Sequence, residues 1–349
     1  MKFYDNILQE DIELLAERID VLLLQNASVL ITGATGLIGK QLVYLLLYFN
    51  KKKNANIKIY ALVRNEQKAK TIFGDAEITF VINDIRQPLE IKDEIHYIIH
   101  GASITQSRSF VENPVETIDT AYIGTRNILE FARQKQVKSV VYLSSMEVFG
   151  VTNPLLSEIK ENDYGYIDIL NPRSSYSESK RLCECLCASY YAEFGVPVKI
   201  ARLTQTLGVG IDYSDTRVTA QFARCVIEQT DIVLHTEGKT LRPSLYIRDA
   251  ISGIITMLFN GKNGEAYTVA NKETAISIRE IAELVATQIA ENKISVKFDI
   301  TNPKEKGYYQ DLHLLLNTDK LESLGWKAEV GLEEAYRRMI ESMKFRKNE

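Results

Sequence analysis

Tyr176 and Lys180 stand four residues apart in Arg173-Ser174-Ser175-Tyr176-Ser177-Glu178-Ser179-Lys180, the opening of a stretch patterned as a long helix through Phe194. That spacing puts both side chains on one helical face. A phenol with an ordinary pKa of ~10 is a weak base at neutral pH, but an ammonium and a further positive charge beside it favour the phenolate. Such a pair takes or returns the proton of an alcohol while hydride moves to or from the carbon. Upstream, Leu143-Ser144-Ser145-Met146-Glu147-Val148-Phe149-Gly150 closes a predicted strand, and a serine hydroxyl there would hydrogen-bond the same oxygen.

The positive charge is implied by another stretch. Val29-Leu30-Ile31 is a short apolar run of the kind that forms a buried strand, glycines follow at Gly33, Gly36 and Gly39, and a helical pattern opens at Leu37. A strand, a tight turn and a helix N-terminus in that order cradle a dinucleotide pyrophosphate: glycine lets the backbone approach the ligand, and the free N–H groups of the helix end favour negative charge. Cofactor contacts are therefore expected along Gly33, Thr35, Gly36, Leu37, Ile38 and Gly39. The strand predicted over 57–63 ends at Arg64, a position where an acid suits a free ribose 2′-hydroxyl and an arginine suits a 2′-phosphate. Arg64 tilts the choice between NAD and NADP toward NADP.

Other elements must bring these residues to one edge. Strands predicted over 78–82 and 97–100 end in Asn83-Asp84 and Gly101-Ala102-Ser103; a helical pattern over 115–134 follows, then a strand over 139–143. Strands alternating with helices predict a doubly wound α/β sheet with its ligand crevice beyond the strand C-termini. Asp84 would lie near the adenine and the Gly101-Ala102 backbone near the nicotinamide, with His100 supporting that loop. The lysines and asparagines of 50–56 read as a solvated loop. Ahead of the first strand, Ile12, Leu15, Ile19, Leu22 and Leu23 recur at helical spacing, predicting a helix packed on the sheet edge or on a partner subunit.

Composition narrows the classes. The 349 residues are 45% apolar and 25% charged, with a formal net charge of −4, so nucleic acid is not an expected partner. No apolar run approaches the ~20 residues that span a bilayer and no secretory leader is evident, which reads as a cytoplasmic protein without membrane attachment. Cys183, Cys185 and Cys187 alternate along one predicted helix and Cys225 stands apart, so neither a metal site nor a disulfide framework is expected, and core packing is.

Together these residues resemble the extended short-chain dehydrogenase/reductase superfamily, in its NAD(P)-dependent nucleotide-sugar epimerase/dehydratase branch. The resemblance runs from Thr32-Gly33-Ala34-Thr35-Gly36-Leu37-Ile38-Gly39 through Asp84-Ile85, His100 to Ser103, Gly124-Thr125, Leu143 to Gly150, Tyr176 to Lys180 and Arg202 to Gly210, to Leu241-Arg242-Pro243-Ser244-Leu245-Tyr246-Ile247-Arg248-Asp249. It implies a Rossmann-type sheet over 28–203 binding NAD(P), an N-terminal helical extension over 1–27, and a smaller C-terminal substrate-binding lobe over 204–349, partly interleaved with the sheet. It also implies Ser145 as the substrate-orienting hydroxyl, Ile85 and Ser103 among the cofactor contacts, and a nucleoside-diphosphate sugar as substrate. Arg242 matches the position that meets the diphosphate, Gln205 is a substrate contact, and Arg217 and Arg224 are candidates for the same anionic pocket. Arg248 and Asp249 would pair locally. Similar proteins form homodimers through the helices predicted here over 115–134 and 177–194, which carry Ile128, Leu129, Phe131, Leu182, Cys183, Leu186 and Tyr190.

Members of this branch share oxidation of a sugar hydroxyl to a ketone and differ in the next step. Dehydratases usually carry Thr-Asp-Glu where this chain has Ser145-Met146-Glu147, and Met146 cannot donate a proton to a leaving water. Uronate decarboxylases pair Ser/Thr-x-Glu with a Tyr-x-x-x-Lys-Arg helix start, as Tyr176 to Arg181 does. Simple 4-epimerases need only ketone formation, rotation and hydride return, leaving Glu147 as a spare or auxiliary base. Ala121 and Gln205 stand where the family often has asparagines. The leading expectation is an epimerase, with dehydratase or decarboxylase next, a plain NADP-dependent reductase as a further alternative, and a cofactor-sensing binding protein as the reading from another class.

Overall fold

The computed structural model describes residues 5–300 and 311–346. The first apolar run forms β1 (Ser28–Thr32), buried along its whole length. Side chains alternate along a strand, so Leu30 joins the core on one face of the sheet while Val29 and Ile31 join the core on the other. A parallel sheet covered on both faces needs such continuous apolar runs. With β2 (Lys58–Val63), β3 (Thr79–Ile82), β4 (Tyr97–His100), β5 (Ser139–Ser145), β6 (Val198–Leu203) and β11 (Ala266–Val269), it makes a seven-stranded sheet of order β11-β6-β5-β4-β1-β2-β3. Every pairing in it is parallel. The strand order reverses between β1 and β4, and the crevice of a doubly wound sheet opens there.

On one face lie α2 (Leu37–Lys53) and α8 (Ile247–Asn260); on the other lie α5 (Pro114–Lys135) and α6 (Ser175–Phe194). Two short helices, α3 (Glu66–Phe73) and α4 (Ser107–Glu112), follow β2 and β4. A smaller lobe holds β7 (Gln205–Leu207) paired with β10 (Ser244–Tyr246), β8 (Ile232–Leu234), β9 (Leu241–Arg242), and the helices α7 (Val218–Glu228), α9 (Ile278–Leu284), α10 (Asp319–Glu322) and α11 (Leu332–Arg346). Among the described residues no helix is long and apolar enough to cross a membrane.

Four expectations change. The lysines at 51–53 belong to α2 rather than to a loop: they complement its carbonyl end, and Asn54 at φ 51° takes the left-handed cap. The N-terminal helix, α1 (Asn6–Arg18), stops before Ile19 because Asp20 caps a separate short turn, leaving Leu22 and Leu23 exposed. It packs on α2, α8 and α11, away from the sheet edge. On α5 and α6, Ile128, Leu129, Phe131 and Cys183 are consumed by the subunit's own core, and the exposed large apolar residues are Val115, Ile118, Leu182, Tyr191 and Phe194. Cys187 is also in the core, whereas Cys185 is exposed.

One buried ion pair fixes α6 to the sheet. Arg202, at the end of β6, meets Glu184 of α6 at 2.6 Å and also donates to the Glu161 carbonyl at 2.6 Å and the Tyr164 hydroxyl at 2.5 Å. Glu184 in turn accepts from the Ser144 hydroxyl of β5 at 2.5 Å. Removing one partner of a buried pair strands the other charge, so Glu184→Ala is expected to cost about 3–5 kcal/mol in urea unfolding. An unchanged urea midpoint would show that Arg202 does not depend on Glu184.

Candidate active site

The glycine turn is built around close backbone approach. Gly33 sits at φ 70°, and a Cβ on it would come within 3.0 Å of the Gly101 carbonyl and the Ala102 nitrogen; on Gly39 it would come within 2.3 Å of the Gly33 oxygen. Gly36 caps α2 without any side-chain hydrogen bond, so the first-turn N–H groups face the crevice with no side-chain acceptor. These features fit a dinucleotide pyrophosphate. Behind the turn, the Thr32 hydroxyl accepts from the Gly101 and Ala102 nitrogens at 3.2 and 3.0 Å, so its own proton goes to His100 Nδ1 at 2.7 Å. His100 Nε2 then carries the ring proton and donates to Thr125 at 3.2 Å. Burial, and secondarily Lys180, pull His100 down to about 3, so it is neutral and ties the two cofactor-side loops to α5.

At the far end of β2, Arg64 and Lys68 line the crevice wall. Asp84 opposite is gripped by its neighbour Arg86, at 3.0 and 2.7 Å, and that hydrogen-bonded fork holds its pKa at about 2.

The end of β5 and the start of α6 meet at the centre. Asn171 caps the single turn Pro172–Ser174 from which α6 begins, and Ser145 caps the turn Met146–Phe149 by accepting from the Glu147 nitrogen at 3.2 Å. Tyr176 is buried and lines the same cleft wall as Ser145. Its pKa is pushed above the usual tyrosine range, first by burial and then by Glu147, with Ser145, Arg173 and Arg217 acting the other way. Lys180 is one helical turn further on, with Nζ 5.7 Å from the Tyr176 ring centre, but it donates to the Leu143 carbonyl at 2.8 Å. Burial pulls it down to about 8. The expected ammonium–phenol partnership is thus one of proximity, and the ammonium's own bond anchors α6 to β5.

Glu147 is fully engaged. Arg173 forks onto both carboxylate oxygens at 3.0 and 3.1 Å, and the Ser177 hydroxyl donates at 2.9 Å. Arg173 also lies 4.8 Å over the Phe110 ring, which stacks on Tyr176 at 4.3 Å and 9°. Arg173, Ser177 and Phe110 were not anticipated from the sequence. Arg173 and Ser177 flank Tyr176 at the helix start, a signal that spacing alone offers; Phe110, on a short helix far upstream, offers none.

In the smaller lobe, Arg242 extends from β9 and donates to the Gln205 amide oxygen at 3.3 Å, its one hydrogen bond among the described residues, and burial lowers its pKa from the ordinary arginine value without removing its charge. Arg217 lines the crevice while forking onto Asp215. Arg224 instead donates to the Tyr213 and Asp215 carbonyls, and Arg248 pairs with Asp11 at 3.2 Å rather than with Asp249. Asp249 accepts from the Glu329 and Val330 nitrogens.

All of the anticipated site residues, from Gly33, Thr35, Gly36, Leu37, Ile38 and Gly39 through Arg64, Asp84, Ile85, Gly101, Ala102 and Ser103 to Ser145, Glu147, Tyr176, Lys180, Gln205 and Arg242, line one cleft of about 740 Å³. That is large enough to enclose most of a small-molecule ligand.

The chain is similar to UDP-glucuronic acid decarboxylase 3 of Arabidopsis thaliana, 27% identical over 324 residues that span 93% of this chain and 91% of that protein. A Methanocaldococcus jannaschii protein provisionally named UDP-glucose 4-epimerase is 28% identical over 318 residues, 90% of this chain and 98% of its own length. In fold it is similar to the UDP-glucose 4-epimerase of Thermotoga maritima, solved with UDP-glucose, at a TM-score of 0.76 and 18% identity, covering 91% of this chain and 98% of that one. The model of the NAD dependent epimerase/dehydratase family matches residues 29–270, and the chain belongs to that family of nucleotide-sugar enzymes.

Proposed function

We propose that the chain is a redox-neutral nucleotide-sugar epimerase, working through a transient keto-sugar. The observation that carries this reading is the engagement of Glu147: with both oxygens forked by Arg173 and a third bond from Ser177, it is a structural acceptor and not a free base. Met146 beside it is buried and has no proton to give a leaving water, which weighs against dehydration. The remaining proton-exchanging set is Ser145, Tyr176 and Lys180. A nicotinamide dinucleotide, when bound, supplies the hydride acceptor and returns the same hydride. Tyr176 takes the proton of the sugar hydroxyl and gives it back, its phenolate favoured once positive charge lies beside it; Ser145 holds the sugar oxygen in line. Lys180 adds positive potential while keeping α6 in register with β5. Arg242, a guanidinium whose one partner among the described residues is the neutral Gln205, receives the diphosphate. Val115, Ile118 and Leu182 supply the exposed apolar face for pairing in a homodimer.

Decarboxylation is the second reading, favoured by the Arabidopsis relative. A 4-keto uronate is a β-keto acid and loses carbon dioxide without a dedicated base, and Arg173 already holds a carboxylate at the cleft wall. Product mass after incubation with a panel of nucleotide sugars separates the two: unchanged mass supports the epimerase, and loss of carbon dioxide replaces it with the decarboxylase. Conversion only with stoichiometric reduced cofactor would make the chain a reductase, and no conversion with cofactor bound would make it a sensor. Tyr176→Phe is expected to lose about 10²–10⁴-fold in turnover, the range for a general acid–base group, while Glu147→Gln stays within about tenfold of the parent. Equal losses in the two variants would return Glu147 to the chemistry.

Arg64, with Lys68 on the same wall, selects the 2′-phosphate of NADP. Arg64→Asp is expected to move the NADP-over-NAD affinity ratio down by about tenfold or more, read by titration with each dinucleotide. An unmoved ratio refutes the assignment.

A further inference from the structure

The family match begins at residue 29, and α1 lies ahead of it. Asp11 on α1 is only 1% exposed, and burying a carboxylate is costly unless it is paired. It accepts from the Tyr246 hydroxyl at 2.5 Å, Arg338 at 2.8 Å and Arg248 at 3.2 Å, so its partners come from the end of β10, from α11 and from the first turn of α8. Asp5, the cap of α1, accepts from Ser342 of α11 at 2.5 Å. Ile12 and Leu15 are fully buried, and the helix packs on α2 as well.

Tyr246 connects this cluster to the cleft. It ends β10, the strand reached from Arg242 through Pro243, and β10 pairs with β7 in the register Ser244 to Gln205 and Tyr246 to Leu207. Its ring covers Gly208 so closely that a Cβ there would lie 2.6 Å from it. From the other side α2, the helix that begins at the glycine turn, holds the same segment: Gln41 donates to the Val209 carbonyl at 2.9 Å and Lys40 to the Gly210 carbonyl at 3.2 Å. The contacts form a closed ring from α2 through β7, β10 and Asp11 back to α1 and α2.

We propose that α1 is a positioning element of the substrate site: by holding Tyr246, Asp11 sets the β7–β10 pair, and with it Arg242 and Gln205, at a fixed distance from the cofactor helix. The inference rests on the reading of Arg242 as the diphosphate contact. A helix that only added stability would affect unfolding and leave ligand affinity alone. The test is calorimetric titration of the full chain with UDP, dTDP, CDP and GDP, and separately with NAD and NADP. Arg242→Ala is expected to weaken the preferred diphosphate by about 10–100-fold, the effect of losing a charge-assisted contact. Tyr246→Phe keeps the packing and removes the link to Asp11, and is expected to weaken it by about five- to tenfold, with dinucleotide affinity within about twofold of the parent. Asp11→Asn should follow Tyr246→Phe. If Arg242→Ala loses the diphosphate while Tyr246→Phe binds it as the parent does, the positioning role is overturned and the Arg242 reading stands. If the parent binds none of the diphosphates, or Arg242→Ala binds as the parent does, the Arg242 reading fails and this inference with it.

Discussion

The cleft depends on the buried pairing of Arg202 with Glu184. A guanidinium only 1% exposed must have every direction answered, and it does: by the Glu184 carboxylate, the Glu161 carbonyl and the Tyr164 hydroxyl. Such a pair contributes little net stability, since desolvation offsets much of the attraction, but it admits one arrangement. Glu184 lies one helical turn beyond Lys180, whose Nζ is bonded to the Leu143 carbonyl, so α6 is pinned at two successive turns to the strand ending in Ser145. The meeting of Tyr176 with Ser145 follows from those two anchors.

The same dry surroundings govern charge. Burial moves Tyr176 up and Lys180 down to about 8, both toward the neutral form. In the proposed reaction the phenol would therefore need a nearby positive charge before it could act as a base. Arg173 is the pivot between that centre and Glu147: it neutralises the carboxylate, lies over Phe110, and Phe110 in turn stacks on the Tyr176 ring. The Tyr176 ring is thus positioned by aromatic contact on one face.

Positioning of the smaller lobe draws on residues far apart in the chain. Arg242 and Gln205 sit on two short strands, each paired in its own two-stranded ladder with another short strand, and such isolated ladders have little stability of their own. Their placement relative to the glycine turn comes from α2, α8 and α11, and from the charge cluster around Asp11 that draws α1 into contact with all three.

What short-range geometry imposes is legible along the chain. The glycine spacing dictates a turn no larger side chain fits, the four-residue interval between Tyr176 and Lys180 dictates a shared helical face, and continuous apolar runs dictate a sheet covered on both sides. Tertiary structure alone decided the partners. Glu147 meets Arg173 across 26 positions, Lys180 bonds a strand carbonyl 37 positions away, and Arg248 takes Asp11, 237 positions away, in place of its neighbour Asp249. Local pattern says which residues share a face of one element. Which faces are then pressed together, and which charges must find each other once water is gone, depends on how the elements pack.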